Sequence, residues 1–381
     1  MTPTATGDEP VIVAARRTPI GTAGRSLASV GASDLAAPVL AALASEVPGV
    51  PVGEVVLGNC TGPGGDVARV AALAAGLPLG VPALTVDRQC GSGLTALEVA
   101  AAMLRVAPGL VLAGGVESAS TAPLRFWPAL DGGEPQPFER APFAPASFGD
   151  PEMGEAADRL AEERGIDRAC QDAYAARSHA RAARTQDAGG FTAELVSVGG
   201  VRTDERIRAG LTETRLARLR PAFRAGGTVT AGNACGVNDG AAAVAIVDAA
   251  THRRLGVPGL RVVATASCGV HPAQPGLGLV PAVRRALSTA GVSLADLDVV
   301  ELNEAFAGQV LACCEDLGLD PGRVCPEGGA LALGHPWGAS GAVLAVRLFS
   351  QLVRQDAGEL GLAAIAVGGG QGVAMVVERC H

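Results

Sequence analysis

Apolar and polar positions alternate along the chain in two rhythms. "VIVAARRTPIG" (11–21) predicts a strand and then a turn. "SDLAAPVLAALASEV" (33–47) predicts a helix capped by Ser33 or Asp34, with Pro38 near its first turn. "EVVLGNC" (54–60) predicts a second strand, and "DVARVAALAAGLP" (66–78) a helix stopped by Gly76 and Pro78. "ALTVDRQ" (83–89) predicts a third strand. In "SGLTALEVAAAMLRV" (92–106), Leu94, Leu97, Ala101 and Leu104 share one helical face. "GLVLAGGVES" (109–118) reads as a buried strand. Strands alternating with helices imply α/β layers.

The rhythm then changes. From about 119 to 230 the chain is charged, Pro-rich in places and without strong strands. Within it "RACQDAYAARSHARAARTQ" (168–186) is an amphipathic helix. Alternation resumes with "GAAAVAIVD" (240–248). The last third repeats the order of the first. "GRVCPEGGALALGHPWGASGAVLAVRLFSQLV" is a strand-like start, a Gly-rich turn and a helix, and "LAAIAVGGGQGVAMVVE" is two strands about a Gly-rich turn. The pattern suggests two similar halves with an inserted segment.

Composition narrows the chemistry. At 381 residues and 48% hydrophobic, the chain can bury a large core, packed mostly from Ala, Val and Leu because aromatics are only 3%. All 30 basic residues are arginine, so lysine Schiff-base chemistry is excluded. A net charge of −8 argues against general nucleic-acid affinity. Nine scattered cysteines without a CxxC, and only five histidines, predict reduced thiols in a cytosol and no zinc cluster. The start "MTPTATGDEP" lacks the pattern of a signal peptide, and no apolar run is long enough to span a membrane.

Five stretches carry candidate chemistry. Cys90 lies where a strand gives way to a helix. Free backbone N–H groups and the helix dipole there favour a thiolate, and Gly91 and Gly93 leave room for an acyl group. A buried structural cysteine is the alternative. His335, in "GGALALGHPWGASG", is pinned by the following proline among glycines, as a base for a thiol would be. Asn303 and Glu304, in "ELNEAFAGQ", sit at a strand's C-terminal end, a common site location, or else form a helix cap with a first-turn acid. "GGGQG" (368–372) can turn backbone N–H groups toward an oxyanion, a role compatible with a tight hairpin. Arg202, Arg206, Arg208, Arg215, Arg218, Arg220 and Arg224 form a basic run that suits either a phosphorylated ligand or a solvated face.

Together these stretches resemble the thiolase family, the acyl-CoA C-acyltransferases, over nearly the whole chain. The resemblance rests on "VIVAARRTPIG", "VDRQCGSGLTAL", "GGVESAS", "DERIR", "LRPAFRAGGTVTAGNACGVNDGAA", "ELNEAFAGQ", "GGALALGHPWGASG" and "GGGQGVAM", in that order. It implies two similar βαβαβαββ halves in a five-layered αβαβα core with an inserted loop domain that covers coenzyme A. The first half would be 1–118, completed by about 240–265; the loop domain 119–239; the second half 266–381. It also implies a homodimer or homotetramer, an acyl-CoA substrate and no permanently bound cofactor. By matching position, Cys90 resembles the acyl-accepting nucleophile and His335 the base that activates it. Asn303 resembles the holder of an oxyanion-hole water, and the backbone of Cys90 and Gly368 a second oxyanion hole. Arg208 resembles the residue that meets a CoA phosphate. Leu219, Phe223, Ala231, Met153, Ala305 and Phe306 resemble the walls around adenine and pantetheine, and Cys235 falls in the same substrate-binding set.

Departures from the family pattern cluster around the second acyl site. A second catalytic cysteine is expected two residues before the GGG turn, where this chain has Ala366. Cys325, Pro326 and Glu327 stand where asparagines are usual before "GGA", Cys235 where a serine is usual, and Glu152 where the biosynthetic branch has histidine. Two readings follow. In one, Cys90 takes an acyl group and passes it on with altered second-step chemistry: either the acceptor is a carbon needing no strong base, such as a decarboxylating or already acidic one, or another nucleophile, or else Cys325, Cys235 or Glu327 supplies the missing base. In the other, the protein is a catalytically impaired scaffold that binds CoA esters or a partner enzyme. A purely redox use of Cys90 would not need the loop domain.

Overall fold

A computed structural model describes residues 9–129 and 132–381. The opening stretch up to residue 8, read above as no signal peptide, lies outside the described residues. The first half runs β1 (Val11–Arg17), β2 (Gly21–Thr22), α1 (Ala32–Glu46), β3 (Val52–Gly58), α2 (Val67–Ala74), β4 (Ala83–Val86), α3 (Ser92–Val106) and β5 (Leu110–Ser118). Among the described residues, the inserted segment carries a small hairpin, β6 (Arg125–Trp127) and β7 (Gln136–Phe138), with α4 (Met153–Glu163), α5 (Arg168–Asp187) and α6 (Glu213–Leu216). Then come β8 (Asn238–Val247), α7 (Ala249–Leu255), β9 (Gly259–Gly269), α8 (Leu279–Ala290), β10 (Val299–Leu302) and α9 (Ala307–Leu317). The chain closes with α10 (Ala330–Leu333), α11 (Trp337–Phe349), β11 (Leu360–Val367) and β12 (Gln371–Cys380).

Local chemistry accounts for most boundaries. Asp66 caps α2 by accepting from the N–H of Arg69. The expected side-chain cap on α1 is absent. The helix starts after Gly31, two residues before Ser33, and Asp34 lies inside the first turn, where its charge meets the positive end of the dipole.

The repeat is written into the strand order. One half reads β4-β3-β5-β8-β1 and the other β10-β11-β12-β9. The pairings match: β3 with β5 and β10 with β11 are parallel, whereas β5 with β8 and β11 with β12 are antiparallel. The strand that would correspond to β4 has shrunk to a single parallel bridge between Val300 and Val324. The halves join where Val11 and Ile12 of β1 meet Leu260 and Arg261 of β9. A boundary near 265 would fall inside β9, which pairs with β12 along its length and so groups with the second half.

Three apolar cores separate five layers. Helices α1 and α2 pack on the outer face of the first half, α8 and α9 on that of the second, and α3 and α11 fill the space between the sheets. The middle helices touch backbone to backbone. A Cβ on Gly93 would lie 2.8 Å from both the Ala342 nitrogen and the Gly338 oxygen. Glycine is required there by close approach.

A buried ionic network ties the insert to both halves. Arg17, on β1, donates to Glu194 at 2.7 Å and grips both oxygens of Asp204 at 2.7 and 2.8 Å. Arg347, on α11, pairs with the other oxygen of Glu194 and with Glu327. The Phe191 ring lies between the two guanidinium groups, 5.4 and 4.7 Å from them. Burial alone would raise the Glu194 carboxyl, but Arg347 and Arg17 hold it below the usual range. Glu194→Gln leaves two buried arginines short of charge and is expected to cost about 3–5 kcal/mol in urea unfolding. A loss of only about 0–1 kcal/mol, the worth of an exposed pair, would refute this role.

Candidate active site

The turn before α3 presents Cys90. Gln89 adopts a left-handed φ of +46°, uncommon for a residue with a side chain. Local bonds hold the turn: Gly91 N–H to the Arg88 carbonyl at 2.9 Å, Ser92 Oγ to the Gln89 carbonyl at 2.6 Å and Arg88 N–H to Ser92 Oγ at 2.8 Å. Gly91 cannot carry a side chain, because a Cβ there would meet Val367 at 2.7 Å.

His335 sits just before α11 and is fixed on three sides. Its N–H donates to Asn238 Oδ1 at 2.9 Å, and it forms a parallel bridge with Val237. Its Nδ1 is 2.6 Å from Ser340 Oγ, which donates to the Pro336 carbonyl at 3.0 Å. In the tautomer that leaves the hydroxyl hydrogen on that carbonyl, Ser340 accepts from Nδ1–H and Nε2 keeps its lone pair. Burial lowers the imidazole to about 4, so it is neutral at physiological pH. Cys90 is three residues before Gly93 and His335 three before Gly338, so the helix contact brings their loops to one end of the central layer.

The expected thiolate is not what this environment favours. Cys90 is partly open to the surface, yet its surroundings are dry. Burial first, then Cys235 and Glu117, push its thiol up to about 12, while its own N–H and that of Gly368 pull the other way. The backbone donors are present, but desolvation outweighs them. The resting pair is a neutral thiol and a neutral imidazole.

Two further segments complete the site. Asn303 follows β10, its N–H bonded to the Ala364 carbonyl at 2.9 Å, and its Nδ2 is buried without a partner in the structure. A cavity of about 10 Å³, room for roughly one water, lies among Glu301, Asn303, Ser340 and Arg347. Asn303 and Glu304 are not a helix cap: α9 begins at Ala307, and the Glu304 carboxylate takes bonds from Tyr174 at 2.9 Å and Ser178 at 2.6 Å. The glycines 368–370 turn β11 into β12, with φ of +78° and +77° at Gly369 and Gly370. Phe143 covers this turn: a Cβ on Gly368 would meet its ring at 2.7 Å.

Other sequence candidates divide. Met153, Ala305 and Phe306 gather in a small apolar cluster with Ala157, Val229 and Ala234, and Phe223 meets Phe306 edge-on at 6.1 Å. Leu219 and Phe223 remain exposed, as does Ala231. The exposed Arg208 bonds only to the carbonyls of Glu205 and Ile207 through its guanidinium among the described residues. Arg224 pairs with Glu162, and Arg206 turns inward. Ala366 pairs with Gly372 in the β11–β12 ladder. Cys325 and Glu327 are engaged elsewhere: Cys325 donates to the Leu302 carbonyl at 3.2 Å, and Glu327 pairs with Arg347. Among the described residues no group of three His, Cys, Asp or Glu could hold a metal ion.

Sequence reasoning did not single out Ser340 or Phe143. Ser340 lies five residues after His335, in the first turn of α11, and that spacing after a histidine was its only signal. Phe143 carried none.

Comparison with known proteins agrees with this architecture. Residues 10–250 match the family model of the thiolase N-terminal domain and residues 257–379 that of the thiolase C-terminal domain. An acetyl-CoA acetyltransferase of Pseudomonas aeruginosa is 45% identical over 97% of this chain and 99% of its own. The 3-oxoadipyl-CoA/3-oxo-5,6-dehydrosuberyl-CoA thiolase of Escherichia coli is 44% identical over 95% of this chain and 97% of its own. A crystal structure of the Bacillus anthracis acetyl-CoA acetyltransferase superposes with a TM-score of 0.89 at 38% identity, covering 98% of this chain and 99% of that one. Two family-model matches that together span almost all the described residues, in the order of the two halves, show that this chain belongs to the thiolase family.

Proposed function

We propose that the protein transfers acyl groups from acyl-CoA by way of Cys90, in a Claisen-type condensation or the reverse thiolysis of a 3-ketoacyl-CoA. This reading rests on the pairing of His335 Nδ1 with Ser340 Oγ, 2.6 Å apart. Ser340 holds the Nδ1 proton and leaves Nε2 free to take the proton of a thiol. In the first step Nε2 removes the Cys90 proton as the sulfur attacks the thioester carbonyl. The N–H groups of Cys90 and Gly368 hold the resulting oxyanion, and Asn303 Nδ2 holds a water that serves a second one. The carbonyl reforms, CoA leaves, and the acyl group stays on Cys90.

The scaffold reading loses ground to the same site. A binding protein has no need of a strained turn under Cys90 or of a histidine held in one tautomer. Arg208 is assigned to a CoA phosphate because its exposed guanidinium has no carboxylate partner among the described residues. Assembly into a dimer or tetramer is supported by β4, the free edge of the first-half strands, beside the exposed Leu73, Leu79 and Leu84. Nine free cysteines support a cytoplasmic location. No helix of the described residues is long and apolar enough to cross a membrane.

Intact-protein mass after incubation with acetyl-CoA should show one acetyl group, mapped by peptide analysis to Cys90. His335→Ala should slow that acylation by about 10²–10⁴-fold. Label on another residue would overturn the assignment.

The acylation rate should be flat across neutral pH and fall as pH drops through about 4, where His335 takes a proton and stops acting as a base. A rate limb near neutrality tracking thiolate absorbance would contradict the neutral pair.

Arg208→Ala should weaken binding of CoA but leave binding of pantetheine thioesters lacking the nucleotide unchanged, as measured by calorimetry. Equal losses would place the residue in folding rather than recognition.

A further inference from the structure

Condensation at Cys90 needs a second acid–base group, because the acceptor's α-carbon must lose a proton before it can attack the acyl carbon. His335 is occupied with the Cys90 proton. Three thiols other than Cys90 were open to the role or lie near it. Cys325 is bonded to the Leu302 carbonyl and faces the carboxyl groups of Glu301 and Glu304. Cys60 donates to the Gln89 carbonyl at 3.1 Å and faces Glu117 and Asp87. Negative neighbours oppose a thiolate at both.

Cys235 has the opposite surroundings. Its N–H donates to the Ala305 carbonyl at 2.9 Å, and Ala234 bridges to Phe306. Two residues on, Val237 bridges to His335, and Asn238 accepts the His335 N–H. The segment 234–238 thus spans from the Asn303–Phe306 loop, with its unpartnered Asn303 amide nitrogen, to the catalytic histidine. Cys235 acts directly on the charge of Cys90. Beside it lies Arg206, whose guanidinium donates to the Ala234 carbonyl at 2.9 Å and lies 2.9 Å from where a Gly236 Cβ would be. Arg206 bonds to backbone carbonyls and forms no ion pair with a carboxylate among the described residues. Of the acidic side chains around it, the Cys235 thiol is the one that favours its charge. A cation taken largely out of water without a carboxylate stabilises an anion placed next to it.

We infer that Cys235 is the acid–base residue of the second half-reaction, its thiolate held by Arg206. This rests on the acyl-transfer reading above. Burial raises the resting Cys235 thiol to about 12, with Arg206 opposing, so it begins protonated. As Cys90 is acylated, His335 keeps the Cys90 proton, and the departing CoA thiolate takes the proton of Cys235. CoA leaves as a thiol, and Cys235 is left as a thiolate beside Arg206. When an acceptor acyl-CoA binds, the Cys235 sulfur removes its α-proton: the C–H bond breaks, an S–H bond forms, and the electron pair moves into the enolate. The enolate carbon then attacks the acyl carbon on Cys90. A C–C bond forms, the C–S bond breaks, and the Cys90 sulfur recovers its proton from His335. All three groups return to their starting states.

The test separates the two half-reactions in the full-length protein. Acetyl-CoA is supplied in heavy water to wild type, Cys235→Ala and Cys235→Ser, the last preserving volume without a usable base. Mass spectrometry reads the extent of Cys90 acetylation and the deuterium gained at the acetyl-CoA methyl group. The expected result is the same end point of Cys90 acetylation in all three, reached more slowly in the two variants that lack the proton donor to CoA, with methyl exchange on the acetylated protein falling about 10²–10⁴-fold in both variants. Exchange within a few-fold of wild type in either acetylated variant overturns the role of Cys235, as does a wild type that acetylates Cys90 but exchanges nothing. A wild type that never acetylates Cys90 overturns the acyl-transfer reading itself, and the mass of the protein distinguishes that failure from the others.

Discussion

The contact between α3 and α11 is the constraint on which the rest depends. Two helices from opposite ends of the sequence lie side by side between the sheets, close enough that Gly93 has no room for a methyl group. Gly341 makes the reciprocal approach to the backbone of Leu94. Cys90 and His335 lie on neither helix. What matters is where each begins. Cys90 precedes one, His335 precedes the other, and the glycine seam holds both starts at the same end. A wider crossing with ordinary side chains would separate the thiol from the imidazole. Each half contributes one loop of the candidate site, which gives the internal repeat a spatial consequence.

Electrostatics in the site follow from that burial. Protein packed around Cys90 and His335 disfavours charge on either, so the resting site is neutral. Ser340 Oγ sits against Nδ1 and leaves Nε2 as the nitrogen without a side-chain partner on α11. The charges that do occur in the interior are compensated elsewhere. Arg17 and Arg347 share Glu194, with Asp204 and Glu327 completing the set, and this network anchors the inserted segment to β1 and α11. Arg206 lies outside it, bonded to carbonyls near the Cys235 thiol.

Much of the fold was legible because its signals are local. The helix at 92–106 starts and stops as its apolar spacing indicates, and the two strands about the 368–370 turn appear where the Gly-rich run divides them. The repeat was visible as an order of elements, although one strand of the second half is reduced to a bridge at Val324. The cap of α1 was misread because Ser33 and Asp34 are good capping types, whereas Gly31 reaches the required extended geometry without a side chain.

The site divides along the same line. Residue type and near neighbours mark the groups that could carry chemistry: a cysteine at a helix start, a histidine pinned before proline, an asparagine after a strand, and glycines able to turn sharply. These are properties of a residue and its immediate neighbours, and the chain states them directly. Only the tertiary structure decided their states. Whether Cys90 is a thiol or a thiolate depends on how much protein surrounds its sulfur, and the local helix dipole was too weak to override that burial. The partner of His335 Nδ1 is a serine on α11 that also reaches the Pro336 carbonyl. Which of Cys60, Cys235 and Cys325 faces a cation depends on segments about twenty to sixty residues apart, because charges act through space and dielectric, not along the chain.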